Sequence, residues 1–352
     1  MVSIFTKKLL KWNASLNFRV MPWKGEKDPY KIWLSEIILQ QTRVEQGTAY
    51  YLKFIKSFPT VHHLAAAPEQ QVFKLWEGLG YYSRCKNLIA SAKYISTTLG
   101  GRFPEEYKEI RLLKGIGPYT AAAIASFAFN KPFAVVDGNV NRLLARYFGI
   151  STPIDNTSGK KLFNLLADAL LYKKNAATYN QAIMDFGAMI CKPQQPLCTI
   201  CIHNKQCEAY KCNWIKQLPV KEKLLRKKIR WFYYFIIEYD NQVYLRQRIG
   251  KDIWENLFEF VLSEHDVMQT TEQAFLKDVL TTLLGGGSSE IQQVSKVFRQ
   301  QLTHQTISGQ FVTVRINCPA SIKGYHRIPK EELSKYPFPK IISSWLLQQI
   351  GA

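Results

Sequence analysis

Cys191, Cys198, Cys201 and Cys207 are spaced C-x6-C-x2-C-x5-C, four thiols within 17 residues. Such a set, once deprotonated, can hold a metal centre, and cysteine-only ligation suits either a [4Fe–4S] cluster or a structural zinc. Zinc loops usually supply two C-x2-C knuckles, and only the pair Cys198/Cys201 has that spacing. The longer arms leave wider loops, which fit a cubane better than one tetrahedral ion. Unrelated thiols or disulfides are the competing explanation. Against it, only Cys85, Cys212 and Cys318 are spread over the rest of the chain, and the total of seven is odd. The start, from Met1 to Lys8, carries no signal-peptide core, so a secreted disulfide framework is not expected.

Three other places carry polar groups that could do chemistry. Leu113-Lys114-Gly115-Ile116-Gly117-Pro118-Tyr119-Thr120-Ala121 is a glycine turn opening a helix. Its two glycines let backbone amides approach a phosphate, and the helix N-terminus adds partial positive charge. A short apolar run, Phe133 to Val136, ends at Asp137-Gly138-Asn139 before helical Val140 to Tyr147. Asp137 is either a helix N-cap or a catalytic carboxylate. Glu36 sits in the largely apolar run Trp33-Leu34-Ser35-Glu36-Ile37-Ile38-Leu39-Gln40-Gln41-Thr42. There it is either on a solvated flank or desolvated with a raised pKa, and the second case suits a general acid.

The elements that must position these groups are helices. To about Asn213, apolar residues recur at intervals of three and four, as in Trp33-Leu34-Ile37-Ile38, Leu88-Ile89-Ala92-Ile95 and Leu162-Leu165-Leu166-Ala169-Leu170. Phe58-Pro59, Gly100-Gly101, Phe103-Pro104 and Thr152-Pro153 break the runs. Residues 216–230 carry seven basic side chains and one acid, as a linker would. Beyond them Trp231 to Tyr239, the Asp240-Asn241 turn and Val243-Tyr244-Leu245 predict a hairpin. Phe311 to Ile316 is another strand and residues 271–284 look helical, so the C-terminal part is α+β on its own core. The 352-residue chain has a net charge of +20, a field that favours nucleic acid. A membrane is the competing polyanion, but no run of 18 apolar residues is present.

Together, these motifs resemble the endonuclease III superfamily of helix-hairpin-helix, iron–sulfur DNA glycosylases. Ser35 to Thr42, Gly78-Leu79-Gly80-Tyr81-Tyr82-Ser83-Arg84 and Asn180 to Cys191 are similar to its adenine-specific, MutY-like mismatch branch. The resemblance covers nearly the whole chain, more weakly after residue 230. It implies a multi-domain protein. Residues 1–215 form an all-α glycosylase region. Within it, a six-helix barrel module over about 29–135 contains a helix-hairpin-helix at 112–124, and an iron–sulfur module takes 1–28 plus 136–215. A basic linker follows at 216–230, then a Nudix-like (MutT-like) domain at 231–352.

The resemblance also implies roles. Glu36 would be the acid that protonates adenine and later helps activate water. Asp137 would be the carboxylate that stabilises the oxocarbenium-like sugar, with Asn139 as an active-site amide and Tyr119 as a phenol bonded to the acid. Bifunctional relatives use a lysine at the Tyr119 position to form a Schiff base, so lyase activity is not expected here. Adenine would be read by Arg19, Met21, Trp23, Lys24 and Gln181. Gln41 and Tyr82 would fill the gap left by the flipped nucleotide, while Lys114, Gly115 and Gly117 hold the DNA backbone. Cys191, Cys198, Cys201 and Cys207 would hold one [4Fe–4S] cluster.

In the C-terminal domain, Gln247-Arg248-Ile249 and Leu257-Phe258-Glu259-Phe260 resemble Nudix landmarks, but the hydrolase signature is absent between Gly250 and Gly287. Binding rather than hydrolysis is expected there. Leu302-Thr303-His304 falls where the family generally carries Phe-Ser-His and would read 8-oxoguanine. The implied partner is double-stranded DNA with A:8-oxoG or A:G mismatches, bound by a monomer in the cytoplasm, at the nucleoid if bacterial, with no membrane association. An endonuclease III-like glycosylase/lyase for oxidised pyrimidines would require a lysine at 119. A non-catalytic iron–sulfur DNA-binding protein would not need Glu36 or Asp137.

Overall fold

The computed structural model describes residues 2–222, 227–269 and 272–350. The chain divides into two compact units, Met1–Ala66 with Asn87–Leu224, and Ala67–Lys86 with Leu225–Ala352.

The first unit is helical. Helix Pro29–Leu39 begins with Pro29 at its first position, and Asp28 caps it by accepting from the Tyr30 N–H. It is buried nearly all round, from Tyr30 to Ile38, and packs on helix Pro118–Phe129. That second helix turns a run of small residues, Ala121, Ala122, Ala123 and Ala125, into the core. A separate apolar cluster joins the N-terminal helix Ile4–Leu16, through Phe5, Leu9 and Trp12, to helices Gly138–Phe148 and Ala176–Met189. At Gly187 these last two helices come so close that a Cβ would lie 2.8 Å from Cβ of Asn139. The missing side chain leaves room for Asn139.

The second unit is a mixed sheet with helices on it. Its strands are β1 (Lys228–Tyr239), β2 (Gln242–Gln247), β3 (Phe258–His265), β4 (Ser289–Val294), β5 (Phe298–Gln301), β6 (Gln305–Ile316) and β7 (His326–Pro329). The order is β4-β6-β1-β3-β2-β7, with β5 paired to β6. β1 and β6 run parallel, with Phe235 opposite Val312. The expected hairpin is present, Tyr239 facing Gln242 across a turn in which Asp240 and Asn241 both take positive φ. β1 is buried on both faces. Tyr233, Phe235 and Ile237 pack in a cluster with Leu276 and Leu280 of helix Gln273–Leu284. On the alternate register Phe311 stacks on Trp345 of helix Lys340–Ile350.

Two expected boundaries differ. β1 starts at Lys228, so the last three residues of the expected linker are strand, and residues 223–226 of that linker lie outside the described residues. Arg230 is buried, because Asp252 at 2.7 Å and Glu264 at 2.6 Å neutralise it. Residues 67–86, expected inside the barrel module, pack in the second unit. Helix Glu69–Trp76 buries Val72, Phe73 and Trp76 there, and Lys74 Nζ donates to the Tyr336 carbonyl at 2.9 Å.

Candidate active site

One cavity of about 370 Å³ in the first unit is lined by all nine residues expected to act on the base or bind it. These are Arg19, Met21, Trp23, Lys24, Glu36, Tyr119, Asp137, Asn139 and Gln181. They come from five separate stretches of chain, which only the packing of the helices brings together.

Glu36 is 7% exposed, so the solvated-flank alternative fails. Burial drives its pKa from the ordinary 4.5 to about 7, opposed by a hydrogen bond with Tyr119 and reinforced by the negative charge of Asp137. The Tyr119 phenol is held well above its ordinary value, by burial first and then by Glu36 and Asp137. It therefore stays a hydrogen-bond donor. Asp137 does cap helix Gly138–Phe148, its Oδ1 accepting from Val140 N–H at 2.8 Å. Capping and catalysis are compatible, because the second oxygen, Oδ2, accepts from Asn139 Nδ2 at 2.6 Å. Burial raises the Asp137 pKa, against those hydrogen bonds and the nearby Arg142. Arg142 Nη2 donates to Asn139 Oδ1 at 2.9 Å and to the Gly187 carbonyl at 2.8 Å, which fixes which way the amide faces.

The polar wall opposite is organised by a residue the sequence did not single out. Asp185 is fully buried. Its Oδ1 accepts from Arg19 Nη1 at 2.9 Å and Gln181 Nε2 at 3.0 Å; its Oδ2 accepts from Asn17 Nδ2 at 2.9 Å and lies 3.0 Å from Lys24 Nζ. Met21 is buried, and Trp23 packs edge-on to Tyr51. The i,i+4 spacing of Gln181 and Asp185 was visible in the sequence, but the approach of Arg19 and Lys24 to them was not.

In the expected DNA-facing turn, Gly115 has φ of +79°, a conformation that favours glycine, and a Cβ there would meet Asn87. Gly117 is the N-cap of helix Pro118–Phe129, and Lys114 is exposed with its carbonyl accepting from Ser91 Oγ at 3.1 Å. Gln41 is exposed with φ of 57°. Tyr82 corrects the expectation. It is 8% exposed, and its hydroxyl accepts from the Gly78 N–H, so its ring is committed to the fold. The ring presented to solvent is Tyr81, 41% exposed at φ of 49°. Arg84 lies against the Tyr81 ring and against Trp76. Leu302-Thr303-His304 forms the tip of the β5–β6 hairpin, closed by Leu302 N–H donating to Gln305 O at 2.7 Å. Tyr81 and Thr303 hydrogen-bond through their hydroxyls. Both line a second cavity of about 680 Å³, together with Leu302 and His304.

Cys191, Cys198, Cys201 and Cys207 line one small cavity with Arg146, and all four are free thiols. Among the described residues no group of three or more His, Cys, Asp or Glu is arranged to hold a metal ion. The donor set itself, four sulfurs in one place and no hard ligand, fits an iron–sulfur group. Arg146 Nη1 lies 3.6 Å from Cys191 Sγ, a cation placed where thiolates would gather. Burial pushes the Cys201 thiol up to about 12. Cys85 is buried, and Cys212 and Cys318 are exposed; none of the three lines this cavity. No helix among the described residues is long and apolar enough to cross a membrane.

Comparison with known proteins agrees with this geometry. Residues 34–167 match the family model of the HhH-GPD superfamily of base excision DNA repair proteins, and residues 232–348 match a NUDIX domain. An adenine DNA glycosylase of Buchnera aphidicola subsp. Baizongia pistaciae is 34% identical over 319 residues, covering 89% of this chain and 87% of that protein. The human adenine DNA glycosylase is 38% identical over 217 residues, 59% of this chain and 40% of that one. Among solved structures, a thermostable thymine-DNA glycosylase aligns with a TM-score of 0.55 at 31% identity, covering 59% of this chain and 96% of its own. An endonuclease III–DNA complex aligns with a TM-score of 0.51 at 19% identity, over 61% of this chain and 99% of its own, a likeness of fold. The chain belongs to the adenine DNA glycosylase family.

Proposed function

We propose that this DNA N-glycosylase is monofunctional and releases adenine mispaired with 8-oxoguanine or guanine in double-stranded DNA. The observation that carries this is Glu36, buried, raised to about 7 and bonded to Tyr119 in the same cavity as Asp137. The adenine nucleotide must leave the stack, at a cost of a few kcal/mol, to reach that cavity. Adenine departs poorly as an anion. Glu36, protonated near neutral pH, delivers its proton to a ring nitrogen as the N-glycosidic bond breaks. Asp137, held by Val140 N–H and Asn139, faces the developing oxocarbenium charge. Water then completes the hydrolysis with Glu36 as its base. Tyr119 offers a phenol where a lyase would need an amine, and Lys24 is tied to Asp185 and to the Arg19 carbonyl.

Gln41 and Tyr81 are the residues suited to fill the gap in the duplex. Both hold left-handed backbone conformations, a strain that tends to persist where function requires it. The turn at Lys114-Gly115-Ile116-Gly117 suits sequence-neutral phosphate contact, and Leu302-Thr303-His304 suits reading of the base opposite adenine. The four cysteines would hold one [4Fe–4S] cluster, whose contribution when bound is to cross-link the 191–207 loop. The protein works as a monomer in the cytoplasm, or at the nucleoid in a bacterium.

An excision assay on A:8-oxoG, A:G and thymine glycol duplexes tests this, with and without borohydride. Adenine release from the first two and no trapped complex is expected. Efficient trapping, or release of thymine glycol, would contradict it.

A further inference from the structure

We infer that Asp185 is a positioning residue that sets the base specificity of the cavity by fixing the polarity of the Gln181 amide. This rests on the proposal that adenine occupies that cavity. Asp185 is fully buried and accepts four hydrogen bonds or ion pairs, from Arg19, Gln181, Asn17 and Lys24. Three of these partners line the cavity, and Asp185 does not. It acts through them.

A side-chain amide is a donor at one end and an acceptor at the other. A carboxylate can only accept, so the end of Gln181 that lies 3.0 Å from Asp185 Oδ1 must be the NH2 group. That anchors the amide and leaves its carbonyl oxygen, which Asp185 cannot engage, to accept from a base beside the one remaining N–H. Adenine carries an amino group at position 6 and satisfies that acceptor. Hypoxanthine, the same ring with a 6-oxo group, would bring two acceptors together in a desolvated site, where an unpaired polar group is costly. Arg19 Nη1 at 2.9 Å and Lys24 Nζ at 3.0 Å hold the carboxylate in place, so both Asp185 oxygens already face donors.

The test compares single-turnover release of adenine and of hypoxanthine, each placed opposite 8-oxoguanine. Wild type should release adenine at least about a hundredfold faster. Asp185→Asn lets the amide turn over and should lower that ratio about tenfold or more. Gln181→Leu should lower it similarly, and Asp185→Asn added to Gln181→Leu should lower it no further. Because the readout is a ratio within one protein, a partial loss of folded enzyme leaves it intact. If Asp185→Asn does not fold, Asp185→Ser, which also frees the amide, takes its place, and an unchanged ratio in it overturns the inference. Adenine release with full discrimination retained by Asp185→Asn would also overturn it, leaving the glycosylase reading in place. A wild type that releases no adenine from any duplex would instead remove the reading beneath it.

Discussion

Asn139 Nδ2 donates to Asp137 Oδ2 at 2.6 Å, while Arg142 holds the other end of the same amide at 2.9 Å. The carboxylate is thus aimed, and the rise that burial imposes on its pKa is opposed, by a relay that begins on Arg142, itself bonded to the Cys191 carbonyl at 2.7 Å. Asn139→Ala removes a hydrogen bond to a charged group, worth about 1.5–3 kcal/mol. Single-turnover adenine release should fall by roughly 10- to 100-fold, with duplex affinity little changed. Equal losses in binding and in rate would show that Asn139 supports the fold rather than Asp137.

The pH profile follows from Glu36. The acid must be protonated, and its pKa is raised to about 7, so activity should decline on the alkaline side with an apparent pKa near that value. The Tyr119 hydrogen bond lowers the Glu36 pKa, so Tyr119→Phe should move the alkaline limb to higher pH. Stability falls in the same direction. A carboxyl whose folded pKa lies above its unfolded one binds the extra proton when folded, so its burial costs stability progressively as pH rises from about 4.5 to about 7. Glu36→Gln should therefore raise the thermal midpoint more at pH 8 than at pH 5. An alkaline limb unmoved by Tyr119→Phe would count against the coupling.

Metal content tests the cysteine loop. Anaerobically purified protein should be brown, with roughly four iron atoms per chain. Cys198→Ser should lose the iron and lower the thermal midpoint, whereas Cys212→Ser should keep both. Stoichiometric zinc without iron would exclude the cluster.

The β5–β6 hairpin tip should govern the opposite base. Changing Thr303 and His304 to Ala should erode the preference for A:8-oxoG over A:G more than it slows excision of adenine. Tyr81→Phe removes the hydroxyl that meets Thr303 and should erode the same preference. Equal losses on both duplexes would show that the tip serves general affinity.

Much of this arrangement was legible in the sequence. The helical periodicity, the Asp240-Asn241 hairpin and the cysteine spacing each follow from local rules. The burial of Glu36 was harder, because helix Pro29–Leu39 is covered nearly all round and so shows no polar face to mark the acid's side. Tyr81 and Tyr82 are adjacent and chemically alike; Tyr81, at positive φ, is the exposed ring, while the Tyr82 hydroxyl is held by the Gly78 N–H. Arg230 reads as part of a basic run until Asp252 and Glu264 arrive from distant strands and loops. Asp185 escaped for a related reason. A buried carboxylate is recognised by its cations, and these come from a loop 166 residues away.

Adenine release by Glu36→Gln on an A:8-oxoG duplex tests the central claim most directly. Glutamine can keep the hydrogen bond with Tyr119 but cannot give up a proton. The single-turnover rate should fall by about a thousandfold or more, within the range attributed to general acid catalysis, while the duplex dissociation constant stays within a few-fold of wild type. A rate within tenfold of wild type would mean that adenine leaves without the Glu36 proton.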